Sequence, residues 1–252
     1  ERVDAMEVGA FSYCLAVEQA DAQAIAVNVE AAGDNPTYDP ASTPVYFSTI
    51  ITRKGSGIRT LEDLRGESFT FVDPASTSGH LMPRTLLLKN GIDPDQDMRV
   101  RFAGSHPTSV LAVERGTAAA GATYDINLRR MHDEGAAPVC YFEDGRVGVE
   151  RTQAEIDALY EGCPEGHITI VAMSDPIPNT PFAVRANLPA SFKEALRAAL
   201  LDVRNQPALV AEMRRWYVDP REQFGVERVD EIYNGLRELA TMLDLDLEAQ
   251  AG

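Results

Sequence analysis

The sequence SFTFVDPASTSGHLMPRTLLLK, residues 68–89, carries the pattern that decides the fold. Its first residues alternate polar and aromatic or β-branched side chains, which predicts a buried strand over 68–72. The apolar run over 81–89 stops at an Asn-Gly pair and predicts a helix. A strand followed at once by a helix is the repeating unit of α/β proteins. The linking loop, 73–80, therefore lies at the carboxyl end of a strand.

The same alternation extends outward from this unit. Further strands are predicted at 45–52, 98–102, 117–123 and 167–173, with helices at 108–115 and 126–134 between them. The segment SDPIPNTP, residues 174–181, contains several prolines, which predict an extended connector. We therefore expect an α/β protein of two lobes. The predicted first lobe is 1–53 plus 177–252, the second is 54–176, and the chain crosses between them near 52–56 and 174–181.

The composition restricts the class of partner. The chain has 252 residues, of which 44% are hydrophobic and 25% are charged, as in ordinary globular proteins. Its 23 Lys and Arg face 39 Asp and Glu, a formal net charge of −16, which argues against a nucleic-acid partner. No apolar run reaches the roughly 18 residues that a membrane-spanning helix needs.

The loop after the first strand has the character of an anion site. Ser76, Thr77 and Ser78 are consecutive hydroxyl residues at a predicted helix start. A helix N-terminus leaves amide groups without acceptors and favours negative charge. Gly79 leaves room for a ligand or a neighbouring backbone to approach. The alternative is a simple turn in which a single serine caps the helix.

Two other strand ends predict the same geometry. At Ser105-His106-Pro107 the serine is a candidate helix cap, and His106 is a candidate donor to an oxyanion or a lone structural histidine. After Thr123-Tyr124, Asp125 is the candidate cap of the helix at 126–134. Ligands of α/β sheets bind outside the carboxyl ends of the strands, so the three loops are expected to line one crevice.

Several segments resemble one known family. DPASTSGHLMPR at 73–84, FAGSH at 102–106, GATYD at 121–125 and PIPNTPFAVR at 176–185 occur in the order seen in the phosphate/phosphonate-binding proteins of ABC importers. The resemblance covers nearly the whole chain. It implies the type II periplasmic-binding-protein fold, in which two α/β lobes joined by two crossing strands close on a ligand. That family usually begins with further elements, so the first lobe is expected to lack its usual N-terminal strands.

The resemblance also implies a ligand-binding set: Tyr46, Ser76, Thr77, Ser78, Gly79, His106, Asp125, Asn179 and Thr180. The serines and threonine of 76–78 would hold the oxyanion with His106, and Tyr46 would flank it from the first lobe. Asp125 and the Asn179-Thr180 pair lie near positions where the family places carboxylates for an amino group. Thr180 replaces an acid there. Glu7 stands where an aromatic residue is common, so an oxyanion contact is missing or Glu7 recognises another group.

The function implied is that of a periplasmic, exported binding component whose signal peptide is not in this chain. It captures a phosphonate, phosphite or phosphate and passes it to a permease, as a monomer without cofactor or metal. A sensor that presents the oxyanion to a membrane kinase is an alternative. A hydrolase using a serine of 76–78 with His106 as base is another, but the sequence has no GxSxG elbow. We expect no enzyme activity.

The three cysteines receive separate interpretations. Cys140 and Cys163 bracket what looks like an insertion relative to the family, and in an oxidising compartment we expect them to form a disulfide. The alternatives are two unrelated thiols, or half a metal site of Cys163 with His167. Cys14 lies in an apolar run and is expected to be a buried free thiol, with a soft-ligand role toward arsenite as the alternative.

Overall fold

The structure is a computed structural model that describes residues 3–31, 36–144 and 146–243. Its strands are β1 (Ala5–Glu7), β2 (Ala22–Glu30), β3 (Val45–Tyr46), β4 (Ser48–Arg53), β5 (Ser68–Phe71), β6 (Arg99–Phe102), β7 (Ala120–Tyr124), β8 (Ile168–Met173), β9 (Ile177–Pro178), β10 (Pro181–Arg185) and β11 (Arg215–Val218). Its α-helices are α1 (Ala10–Ala20), α2 (Met82–Lys89), α3 (Pro94–Asp97), α4 (His106–Glu114), α5 (Asp125–Asp133), α6 (Gln153–Gly162), α7 (Ala190–Asp202), α8 (Pro207–Met213), α9 (Arg221–Phe224) and α10 (Asn234–Met242). A π-helical turn spans Thr77–Leu81, and 3₁₀ turns span Glu62–Leu64, Val203–Asn205 and Val229–Tyr233.

The chain divides into two compact units. Unit 1 comprises the described parts of 1–45 and 178–252, and unit 2 comprises 46–177. The first crossing therefore lies earlier than the predicted 52–56, and residues 46–53 do not belong to the first lobe. The reason is that β4 pairs with β7 on one side and β8 on the other, which makes it an interior strand of unit 2. The second crossing falls at 177/178, within the segment 174–181.

Unit 1 is built on an antiparallel sheet. Its strand order is β1-β10-β2-β11, and each neighbouring pair is antiparallel. Trp216 and Tyr217 of β11 are buried in its core, where they pack with Ile25, Leu200 and Val210. Both aromatic residues therefore serve packing.

Unit 2 is built on a mixed sheet with helices on both faces. The strand order is β6-β5-β7-β4-β8; β5 is parallel to β6 and β7, and β4 is antiparallel to β7 and β8. Ile50 and Ile51 are both fully buried but belong to different hydrophobic clusters. Successive strand residues point to opposite faces, so both faces of the sheet are covered.

The parallel strands of unit 2 place three loops at one edge of the sheet. Phe71 is paired with Phe102, so β5 and β6 end together, and β7 runs the same way beside β5. The loops at 73–80 and 103–105 and the start of α5 therefore follow the carboxyl ends of three adjacent strands. The predicted convergence of these junctions is the feature of the fold that positions the candidate site.

The sulfur chemistry of the chain is divided between the two units. Cys140 and Cys163 of unit 2 are disulfide-bonded, with their sulfurs 2.03 Å apart, so the predicted pairing is confirmed and the half metal site is not formed. Cys14 of unit 1 is a buried free thiol, as predicted. Burial raises the pKa of Cys14 to about 11, which keeps the thiol protonated at neutral pH.

Neither a membrane span nor a metal cluster is found in the described ranges. None of the helices there has the length and apolar character needed to cross a bilayer. The same ranges contain no group of three or more His, Cys, Asp or Glu side chains arranged to hold a metal ion.

Candidate functional site: the anion loop of unit 2

The segment 73–81, called the anion loop below, begins with a capped helix start. Ser76 is the N-cap residue, and its Oγ accepts a hydrogen bond from the Gly79 amide at 3.0 Å. Ser76 therefore caps the helix start, and a ligand contact by Ser76 stays a prediction. The amide of Ser78 lies in the first turn, where amide groups have no acceptor within the helix itself. That amide is a donor at the carboxyl edge of the sheet.

The π-helical turn has a physical cause in Pro83. In a regular helix, residue 83 would donate its amide proton to the Gly79 carbonyl, but proline has no such proton. The turn over Thr77–Leu81 widens instead, and the Gly79 carbonyl accepts a hydrogen bond from the Val72 amide at 3.0 Å. The loop is thereby tied back to the strand it leaves. Wide turns of this kind are frequent at functional sites.

Gly79 is required by packing inside the loop. A Cβ at this position would lie 2.5 Å from Val72 Cγ2 and 2.7 Å from Ser76 Oγ, well inside van der Waals contact. The space that the glycine leaves is therefore filled by the protein's own side chains. Gly79 therefore lets the loop fold against Val72, and a ligand contact by Gly79 stays a prediction.

The hydroxyls of the anion loop meet a tyrosine of the same unit. Thr77 and Ser78 are 2% and 3% exposed, and the side chains of both hydrogen-bond Tyr46. Burial raises the pKa of Tyr46 while these two hydrogen bonds oppose the rise, so its phenol stays neutral. Tyr46 belongs to unit 2, so the expectation that it approaches from the first lobe is wrong.

The loop backbone is held from the interior of the sheet. Ser48 of β4 donates its hydroxyl proton to the Ser78 carbonyl at 2.7 Å, and both residues are buried. His80 holds the other end, since its Nδ1 lies 2.8 Å from the Pro74 carbonyl and its ring packs edge-on against Phe71 and Phe102. Because a carbonyl can only accept, Nδ1 of His80 carries the proton. Neither the contact of Ser48 nor that of His80 with the loop backbone was predicted from the sequence.

His106 lies at the second loop as predicted. It is the first residue of α4, and Ser105 caps the helix by accepting a hydrogen bond from the Thr108 amide at 3.3 Å. The His106 ring stands edge-on to Tyr124, 4.6 Å between ring centres, and Tyr124 stands edge-on to Tyr46 at 5.8 Å. These aromatic contacts connect His106 with the hydroxyls of Thr77 and Ser78.

Tyr124 is a candidate site residue that sequence reasoning missed. It is only partly buried and lies between His106 and Tyr46 at the end of β7. Tyr124 directly precedes Asp125 in the sequence, and the functional role was predicted for Asp125 instead. An aromatic residue directly after a small-residue strand at the ligand edge is the signal that could have identified it.

The electrostatics of His106 make it a neutral donor. Burial, with a smaller contribution from the positive charge of Arg130, lowers the pKa of His106 to about 4. The imidazole is therefore uncharged at neutral pH. An oxyanion at this position would be recognised through a ring N–H group and not through an ion pair.

This pKa predicts a pH dependence of stability. The unfolded state takes up a proton near pH 6.5, the folded state only near pH 4, so the unfolded state binds more protons between these values. We expect the free energy of unfolding to fall as the pH is lowered from about 6.5 to about 4, and to fall less in His106→Gln. Denaturant titrations at several pH values measure it, with the exposed His132→Gln as control. Equal pH dependence in wild type and His106→Gln would contradict the prediction.

Asp125 is a structural carboxylate. It is the first residue of α5 and not its cap, which is Tyr124. Its two carboxylate oxygens accept hydrogen bonds from the amides of Phe47 at 3.1 Å and Gly148 at 3.0 Å, and the residue is 1% exposed. The predicted cap is therefore wrong: Asp125 joins Phe47, which directly precedes β4, to Gly148. A ligand contact by Asp125 stays a prediction.

The remaining predicted residues belong to unit 1. Asn179 is buried and its side chain donates to the Asn28 carbonyl at 3.2 Å, while the Thr180 carbonyl accepts from the Asn28 amide at 3.1 Å. A ligand contact by Asn179 or Thr180 stays a prediction. Glu7 forms an ion pair with Arg215 at 3.0 Å, so its charge is compensated within unit 1.

A two-unit α/β architecture with anion donors at the carboxyl edge of a sheet is that of a substrate-binding protein of the periplasmic type. Consistent with this, residues 1–223 match the family described as the periplasmic substrate-binding protein of the phosphonate ABC transporter. The chain belongs to this family, which confirms the resemblance seen in the sequence. The fold prediction is confirmed by PhnD1 from Prochlorococcus marinus in complex with methylphosphonate, with a TM-score of 0.67 at 16% identity over 96% of this chain and 79% of that one.

Two curated relatives support the same assignment. The phosphonates-binding periplasmic protein of Escherichia coli is 27% identical over 221 residues, which is 85% of this chain and 54% of that protein. The phosphate-import protein PhnD of Mycolicibacterium smegmatis is 35% identical over 106 residues, which is 38% of this chain and 33% of that protein. The chain thus spans about a third to a half of the length of these curated relatives.

Proposed function

We propose that this chain is the solute-binding component of an ABC importer and that the anion loop holds a phosphorus oxyanion. The observation that carries the proposal is that Thr77 and Ser78 hydrogen-bond Tyr46 in unit 2. Tyr124 stands edge-on to both Tyr46 and the His106 ring. Membership of the phosphonate-binding family supports the proposal. On this proposal the protein is periplasmic, acts with a membrane permease and catalyses no reaction.

The chemistry of capture is an exchange of hydrogen bonds. Tyr46 is already hydrogen-bonded to Thr77 and Ser78, so a bound oxyanion redirects some of these protons to its own oxygens. The gain is the difference between a neutral hydrogen bond, about 0.5–1.5 kcal/mol, and a charge-assisted one, about 1.5–3 kcal/mol. Each hydroxyl is therefore worth roughly a factor of ten in affinity.

The proposed ligand class is a small phosphorus oxyanion: a phosphonate, phosphite or phosphate. These ions share the tetrahedral oxygens that hydroxyl and amide donors recognise. The Asp125 carboxylate is occupied by two backbone amides, so we propose that it gives no selectivity for an amino group on a phosphonate. The substituent on phosphorus is then distinguished by side chains other than Asp125.

Ser78→Ala tests the proposal directly. We expect this change to weaken the best-bound of methylphosphonate, phosphite and phosphate about tenfold or more, because one charge-assisted donor is lost. Isothermal titration calorimetry with each anion measures the affinity, and sulfate serves as a tetrahedral comparison. Ser191→Ala, at an exposed helix position of unit 1, is the matched control and should bind as the wild type does. Unchanged affinity of Ser78→Ala for all of these anions would remove the anion loop as the site.

A further inference from the structure

A chain of hydrogen-bonded side chains leads from Arg130, which is exposed, to the His106 ring. Arg130 donates through Nη2 to Asn127 Oδ1 at 3.0 Å, and Asn127 donates through Nδ2 to Thr123 Oγ1 at 3.1 Å. Thr123 Oγ1 lies 3.3 Å from His106 Nδ1. Thr123 and Asn127 are both fully buried. These four residues all lie outside the anion loop.

The direction of each hydrogen bond in this chain follows from the groups themselves. A guanidinium can only donate, which fixes Asn127 Oδ1 as the acceptor and turns the Asn127 NH₂ group toward Thr123. The Thr123 oxygen therefore receives a proton from Asn127 and has its own proton to give. Among the described residues, its other hydrogen-bond partner is the His106 ring, so Nδ1 of His106 is the acceptor.

We infer that Thr123 and Asn127 are positioning residues that hold His106 in its Nε2–H tautomer. A neutral imidazole whose Nδ1 accepts a hydrogen bond carries its proton on Nε2. The ring then offers the site a donor and no acceptor. The inference rests on the proposed function for its consequence, which is that His106 binds a deprotonated oxygen of the oxyanion and disfavours a P–OH group at that point.

The alternative tautomer would have the opposite effect. With the proton on Nδ1, the ring would present the lone pair of Nε2 to the anion, and lone pair and anion repel. Partners behind a histidine commonly determine which ring nitrogen faces a ligand. Here Arg130 sets the direction of the hydrogen bonds. It donates to Asn127, Asn127 donates to Thr123, and Thr123 donates to the ring.

Nuclear magnetic resonance of the ligand-free protein tests the tautomer independently of binding. The side-chain ¹⁵N shifts of His106, assigned by comparison with His106→Gln, should show a protonated Nε2 at pH 7. A protonated Nδ1 in the wild type would overturn the inference. This measurement needs no variant of the network, and it is separate from the proposed function, whose failure would appear as unchanged anion affinity in Ser78→Ala.

Three variants then test the network. Thr123→Val keeps the shape but removes the hydroxyl; Asn127→Asp replaces the NH₂ donor by an acceptor, which turns the Thr123 proton away from His106. We expect both variants to shift the ring toward the Nδ1–H tautomer and to weaken methylphosphonate binding about tenfold. Thr123→Ser keeps the hydroxyl and should retain the wild-type tautomer and affinity. Wild-type tautomer and affinity in Thr123→Val and Asn127→Asp, with native spectra, would refute the positioning role.

Discussion

Replacing Gly79 by alanine is expected to lower the free energy of unfolding by about 1–3 kcal/mol, the usual cost of overpacking. The added methyl group would lie against Val72 and 2.7 Å from Ser76 Oγ. Val72 cannot yield easily, because its amide is hydrogen-bonded to the Gly79 carbonyl itself. The loop must therefore shift as a whole, which moves Ser78 and weakens anion binding as well. Denaturant titration measures the first effect and calorimetry with methylphosphonate the second.

Gly162→Ala is the control for this experiment. Gly162 is the last residue of α6 in the same unit, and a Cβ there meets no atom within 4 Å. Alanine favours helix, so the control should be neutral or slightly more stable than the wild type. If Gly79→Ala were as stable as Gly162→Ala, the packing of the loop against Val72 would not be the reason for the glycine.

Loss of the Cys140–Cys163 bond is expected to lower the free energy of unfolding by about 3 kcal/mol. The bond closes a loop of sequence separation 23, and closing such a loop restricts the unfolded chain by roughly this amount. Thermal unfolding of the double variant Cys140→Ser/Cys163→Ser, compared with the wild type, measures the loss.

A reducing agent supplies the control for the disulfide. Reductant should lower the melting temperature of the wild type and leave the double-serine variant unchanged, since Cys14 is a free thiol in both. The prediction would be contradicted if mass spectrometry showed the Cys140–Cys163 bond of the wild type to be reduced and its melting temperature were unchanged. Anion affinity measured in the same samples shows whether the loop also supports Asp125, because Gly148 lies within it.

Much of the fold could be predicted from local sequence signals. The strand at 68–72, the helix starts after Ser76 and Ser105 and the α/β alternation each depend on residues close together in the chain. Pro83 also has a local effect: it has no amide proton for the Gly79 carbonyl, and the turn before it is widened. Such features are readable because propensity and capping act over a few residues.

Contacts distant in sequence could not be predicted in this way. The pairing of β4 with β7 and β8 places Tyr46 in unit 2, and no local signal near 46–53 reveals it. The carboxylate of Asp125 accepts hydrogen bonds from the amides of Phe47 and Gly148. The residue predicted as a helix cap therefore links two distant segments. Glu7 likewise finds Arg215 far along the chain. The lobe of Tyr46 and the capping role of Asp125 were predicted wrongly because their partners lie far away in the sequence.

The Ser48 hydroxyl bound to the Ser78 carbonyl has a consequence for affinity. Together with the hydrogen bond between Val72 and Gly79, it holds the anion loop in place without a ligand. Little conformational entropy is then lost within this unit on association. Preorganisation of this kind lets even a ligand of a few heavy atoms be held tightly, because almost none of its limited interaction energy is consumed in rigidifying the receptor.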